Sequence, residues 1–182
     1  MELHEQLRAK VLVLRAQLGD KDAFGLLFER YHGPVLYYVR RLLGDLDRAE
    51  DVLQDVWLTV YRQIGRLEEP LAFPVWLYRI ARNKTIQRLR AKRIEIPLEE
   101  HSAAWAEVPA DDFTPEQAGQ IHACLEKLSR RHREVLVLRF MQQMKYEQIA
   151  SVVGCSVGTV KSRLHHAKHK LRAEMERQYD HR

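Results

Sequence analysis

Cysteine is scarce in this chain of 182 residues: only Cys124 and Cys155 occur, and neither stands in a C-x-x-C pair. Two such residues cannot build a disulfide framework, which excludes a secreted disulfide scaffold. Long apolar runs are missing too, since nothing approaches the ~18 consecutive residues that a membrane span requires. The opening MELHEQLRAK is too charged for a signal peptide, so a cytoplasmic protein without membrane insertion is expected. Apolar/polar alternation never persists as a half-buried strand requires, which argues against a sheet. Catalytic signatures are absent as well: there is no G-x-x-x-x-G-K-S/T loop, no H-E-x-x-H and no G-x-S-x-G. No catalytic residue, cofactor or metal site is therefore expected. A hydrophobic content of 46% excludes disorder in turn.

What the chain does have is charge, and the charge is segregated. The net value is only +5. From Tyr78 to Arg93, however, there are seven bases and no acid, and from Ile94 to Ala118 seven acids and no Lys or Arg. From Lys161 to Arg182 the sign returns, with seven bases against three acids and four histidines. Two separated basic blocks suit a polyanion held at two places, although two solvated helix faces would read the same way. The acidic stretch also carries Pro97, Pro109 and Pro115 and shows no sustained apolar period. It reads as a linker over 94–113, dividing the chain into units at 1–93 and 114–182.

Both units read as all-α. Gly19-Asp20 separates an amphipathic N-terminal helix from a second over Asp22–Leu43, which Gly33-Pro34 is expected to kink or interrupt. Asp47-Arg48-Ala49-Glu50 reads as a capping box. The helix it opens puts Ala49, Val52, Leu53, Val56, Trp57, Val60, Tyr61 and Ile64 on one stripe and Asp51, Gln54, Asp55 and Leu58 on the opposite one. An apolar Leu58 within an acidic stripe suits a partner-binding spot, or is simply a lone exposed leucine. A further helix, from about Phe73 to Arg93, turns strongly basic. Beyond the linker, Thr114-Pro115-Glu116-Gln117 reads as a helix start, and Ser129 as the cap of a helix holding Val135, Leu136, Leu138 and Phe140.

The C-terminal pattern is sharper. A short helix over Tyr146–Val153, the turn Gly154-Cys155-Ser156 and a longer basic helix from Val157 make a helix-turn-helix signature. Val160 and Leu164 are spaced to pack on Ile149 and Ala150. Ser156 caps the second helix, and Thr159, Lys161, Ser162, Arg163, His166 and Lys170 are left outward for phosphates and base edges. His165 and His169, four residues apart, are better read as part of this polar helix than as a metal pair. Cys155 occupies a turn that wants a small residue.

At these residues a family resemblance emerges. EQIASVVGCSVGTVKSRLHHAKHKL resembles region four of the extracytoplasmic-function (ECF) sigma factors of bacterial RNA polymerase, and REVLVLRF matches the segment before it. AEDVLQDVW resembles the polymerase-binding helix of region two. Phe73, Trp76, Leu77, Ile80, Ala81, Asn83 and Arg90 match the pattern of its promoter-reading helix. Two departures are Gln87, where many members carry Asp, and Leu128-Ser129, where they carry Leu-Pro.

The resemblance implies a monomeric, non-enzymatic factor with core RNA polymerase and promoter DNA as partners and an anti-sigma factor as a further one. It implies core binding through Asp51, Gln54, Asp55 and Leu58, and duplex reading of the −35 element by the helix-turn-helix. It also implies single-strand capture of the −10 element by Trp76, Arg79, Asn83, Gln87 and Arg90, with an acidic linker threading the polymerase. Stacking worth about 1–3 kcal/mol per base is comparable to the cost of unstacking one, so capture can drive melting without nucleotide hydrolysis. Trp76, beside Leu77 and Ile80, also has a core reading, with Phe73 and Tyr78 as alternates. The rival reading is a freestanding helix-turn-helix regulator that binds duplex DNA without polymerase.

Overall fold

The computed structural model describes residues 2–44, 46–95 and 115–180. The predicted linker 94–113 lies, beyond Glu95, outside the described residues, as do the Asp47 side chain and the Thr114 cap. The described residues form α1 (Glu2–Gln17), α2 (Lys21–Leu43), α3 (Leu46–Gln63), α4 (Phe73–Glu95), α5 (Pro115–Glu126), α6 (Arg130–Leu136), α7 (Tyr146–Val153) and α8 (Val157–Asp180). Two 3₁₀ turns, Ile64–Arg66 and Pro70–Ala72, join α3 to α4. No strand occurs among the described residues, and the all-α expectation holds.

The first break falls at Gly19, whose φ of +88° suits glycine. Asp20 then caps α2, accepting from the Ala23 N–H at 3.0 Å and from Arg15 Nε at 2.8 Å. These bonds hold its carboxyl below the ordinary value, the Ala23 amide contributing most. Gly33-Pro34 does not interrupt α2, which runs through both residues. Proline removes one backbone hydrogen bond there, and the buried stripe Val35, Tyr38, Val39 and Leu42 on the same helix offsets the loss.

α1–α4 pack around Leu27, Tyr38, Leu53, Val56, Phe73 and Leu77, all essentially inaccessible to solvent. On α3 the predicted inner stripe is buried except for Tyr61, which is exposed. Tyr61 stands at the stripe's edge, in an edge-to-face contact with Phe24 whose ring centroids are 5.3 Å apart.

In the C-terminal unit α6, α7 and α5 pack on α8. Ser129 occupies the cap position of α6, but its hydroxyl pairs with His132 Nδ1 at 3.1 Å and makes no cap bond. The Ser129 carbonyl instead takes the N–H groups of His132 and Arg133. After Leu136 the helix widens into a π turn, Val137–Met141, followed by Gln143 at φ +51°. Leu138 is buried and Phe140 half exposed.

The two units are in contact: α2 lies against α6, and α4 against α7. At this seam Glu134 of α6 is buried. Its Oε1 accepts from the Tyr38 hydroxyl at 2.9 Å and from Arg82 Nε at 2.7 Å. Arg133 donates across the seam to the Arg41 carbonyl at 2.9 Å, while its other N–H groups tie down the end of α5 at Leu125, Glu126 and Leu128. The Tyr37 hydroxyl lies 3.2 Å from His122 Nδ1, and the Tyr78 hydroxyl donates to Gln142 Oε1. Burial, with the Glu134 carboxylate beside it, drives Tyr38 far above its normal ionisation range, so its proton is available to donate. Burial, with the charges of Arg41 and Arg40 behind it, pushes His122 down to about 4.

Candidate polymerase and promoter surfaces

α3 presents its outer stripe to solvent. Asp51, Gln54, Asp55 and Leu58 are all exposed, Leu58 by 48%. Tyr61, three residues on and thus on the same side, adds a second apolar group beside Leu58. Asp51 is not isolated from the basic helix, since Arg88 Nη2 of α4 stands 3.9 Å from its carboxylate.

α4 divides into flanks. Arg79, Asn83, Gln87 and Arg90 are exposed and share one side at steps of three and four. Trp76, at the N-terminal end of this row, is half-buried. It packs on the core with its ring centroid 6.0 Å from that of Phe73. Both alternates are ruled out as exposed rings, because Phe73 and Tyr78 are buried, Tyr78 with its hydroxyl turned to Gln142. The other flank, Tyr78, Arg82 and Thr85, faces inward or into the seam.

The helix-turn-helix is built as its residue types require. Gly154 ends α7 at φ +71°, donating to the Ala150 carbonyl at 2.9 Å, and Cys155 donates to the same oxygen at 3.2 Å. Ser156 Oγ accepts from the Thr159 N–H at 3.1 Å and caps α8. Val160 and Leu164 are buried with Ile149 and Ala150, as their spacing predicts, and Ala167 extends the contact.

The outward residues divide into two sides. At 100° per residue, Thr159, Arg163, His166 and Lys170 share one side of α8, and Ser162 borders it. Lys161 is exposed but stands about 200° on from Thr159, on the flank shared with His165 and Lys168. Arg163 is half-buried, its Nη1 3.8 Å from Cys155 Sγ. His166 Nδ1 donates to the Ser162 carbonyl at 2.8 Å, which leaves its Nε2 outward. His165 and His169 meet edge to face, with ring centroids 4.5 Å apart. No group of three metal-ligating side chains occurs among the described residues.

One residue of this surface escaped the sequence reading. His132, on α6, sits close enough to Lys170, His166 and Arg163 that their charges add to desolvation in lowering its ionisation. No spacing rule links it to α8, because the proximity comes from helix packing. The seam residues Tyr38, Arg82, His122 and Glu134 were missed for the same reason. The one local signal was an acid, Glu134, set within the apolar run REVLVLRF.

Comparison with known proteins agrees with this layout. Residues 27–94 match the family Sigma-70 region 2, and residues 118–171 match Sigma-70, region 4. The chain is 34% identical to the ECF RNA polymerase sigma-E factor of Escherichia coli K12, across 93% of this chain and 95% of that one. It is 35% identical to the RNA polymerase sigma-H factor of Pseudomonas aeruginosa, across 88% and 90%. The solved structure of CnrH, in complex with the cytosolic domain of CnrY, superposes with a TM-score of 0.69 at 26% identity, covering 93% of this chain and 97% of that one. Two sigma regions in the expected order, and relatives above 30% identity along most of the length, place the chain: it belongs to the ECF sigma factors of RNA polymerase.

Proposed function

We propose that this chain acts in the cytoplasm as a dissociable specificity subunit of core RNA polymerase that directs initiation at its own promoters and catalyses no reaction itself. The observation that carries the reading is the coexistence, in one chain, of an exposed polar and cationic row on α4 and an exposed recognition surface on α8. A freestanding duplex-binding regulator has use only for the second, so that rival is not favoured.

In this reading residues 1–93 bind core polymerase through Asp51, Gln54, Asp55 and Leu58. They capture the −10 strand with Trp76, Arg79, Asn83, Gln87 and Arg90. Residues 94–113 are the linker. Residues 114–182 read the −35 duplex with Ser156, Thr159, Lys161, Ser162, Arg163, His166 and Lys170. Arg is the side chain suited to fork onto guanine, Ser and Thr suit phosphates, and the exposed imidazole of His166 suits a base edge. An anti-sigma factor completes the set of partners, as the family resemblance implies; the similar CnrH is solved in complex with the cytosolic domain of CnrY.

The seam has a consequence for this mechanism. The two promoter elements lie about 25 base pairs apart, or roughly 85 Å of B-DNA. A compact chain of this length has a radius of gyration of about 16 Å. Two units in contact cannot occupy both elements, so the seam opens before both are read. The test is run-off transcription with purified chain, bacterial core polymerase and a pool of promoter fragments. Initiation from a discrete subset only when the chain is present is the expected outcome; duplex binding without any initiation would return the freestanding regulator.

A further inference from the structure

α1 has a second apolar face that the fold leaves uncovered. Its inner side, Leu12, Val13 and Ala16, packs into the core, and Gln17 anchors it by donating to the carbonyls of Ile64 and Leu67 at 3.0 and 2.7 Å. On the opposite side Leu7, Val11 and Leu14, continued by Leu18 in the turn just past Gln17, are exposed by 48%, 53%, 42% and 88%. These four include the most exposed large apolar side chain among the described residues. They fall at steps of four, three and four, the spacing of a coiled-coil seam rather than of scattered surface leucines.

The residues bordering that seam decide what covers it. With Val11 and Leu18 at the a positions and Leu7 and Leu14 at d, the e positions are Arg8 and Arg15 and the g positions Lys10 and Gln17. Three of the four borders are cationic and none is acidic. Arg15 shares its guanidinium with Asp20 at 2.7 Å, but its side chain stays half exposed. Pairing with a second copy would set like charges along both borders, which e and g positions select against. A helix with the same apolar spacing and Glu or Asp at its own borders would match on both counts.

We propose that the outer face of α1 is a docking seam for one amphipathic helix of a protein partner, apolar at coiled-coil spacing and acidic on its flanks. The seam shares no residue with the α3, α4 or α8 surfaces, so its failure would leave the sigma-factor reading untouched. It also gives a partner a hold on the N-terminal unit that does not compete with polymerase or DNA for the same side chains.

The experiment is fluorescence anisotropy with the full chain and two labelled synthetic peptides of about three heptads. Both carry Leu and Val at a and d; one has Glu at every e and g, the other Lys. The Glu peptide should bind saturably and the Lys peptide at least about tenfold more weakly. The charge reversal Arg8→Glu with Lys10→Glu should invert that preference, and Leu14→Asp should abolish binding while circular dichroism stays unchanged. Should Leu14→Asp disturb folding, the reversal variant still decides, because neither Arg8 nor Lys10 belongs to the buried core. Equal binding of both peptides, or a preference unmoved by the reversal, would overturn the proposal. So would a dimer in sedimentation that Leu14→Asp dissolves, or attachment to phosphatidylserine vesicles without any binding of the Glu peptide.

Discussion

The two basic helices of this protein, α4 and α8, begin from the same kind of sequence and end in different employment. Each carries a cationic row beside an apolar stripe. On α8 that row faces solvent, and among the described residues no element of the other unit covers it. On α4 the charges divide: Arg79 and Arg90 stay outside, while Arg82 turns to the buried Glu134 and Tyr78 to Gln142. A cationic helix face is therefore not one thing. A charge that meets a carboxylate in a place sheltered from water becomes part of the fold. The same charge three residues away remains free for a nucleic acid.

The hardest test of that division is Glu134→Ala, which strips Tyr38 and Arg82 of their shared acceptor. Leaving a part-buried guanidinium unpaired costs about 3–5 kcal/mol, so thermal denaturation should show a large drop in Tm. The same change in an exposed α8 residue such as Lys170→Ala should leave stability within about 0.5 kcal/mol of the parent and Tm nearly unmoved. Comparable effects of both would end the distinction between spent and free charges.

pH separates the two regions next. His122 at the seam has a folded-state value of about 4, below its ordinary 6.5. Between those values the unfolded chain binds more protons, so stability rises with pH through this window. The contribution is complete above about 6.5 and is lost as pH falls toward 4. Urea denaturation at pH 7 and pH 5 should show the loss, and His122→Gln should flatten it. An unchanged slope in that variant would move the effect elsewhere.

Smaller effects sharpen the α8 side. In duplex binding, Lys170→Ala should weaken affinity across all sequences and reduce the slope of log K against log salt by about 1. Arg163→Ala should instead relax discrimination at one base pair, worth about 1–3 kcal/mol in a selection experiment. Smallest of all, Ser156→Ala removes the bond to the Thr159 amide, and about 1 kcal/mol of stability should go with it.

Much of this was legible from residue spacing. Ile149, Ala150, Val160 and Leu164 were assigned inward by period alone and are buried. Asp51, Gln54, Asp55 and Leu58 were assigned outward and are exposed. Where the reading missed, the cause was a competing contact with no local signature. Ser129 gave its hydroxyl to His132 instead of an amide. Pro34 failed to break α2 because the residues after it are held in the core. Tyr61, at the edge of its stripe, stays exposed although its ring meets Phe24.

The helices, the Ser156 cap, the helix-turn-helix and the segregation of charge were determined by the sequence itself, because 3.6-residue periodicity and capping are short-range physics acting within one element. The tertiary structure alone decided which flank of α4 is free, that Glu134 is a seam residue, that His132 joins the α8 surface and that the outer face of α1 stays bare. Each of these depends on which distant element arrives opposite a side chain. That is set by the packing of whole helices against one another, and no window along the chain contains it.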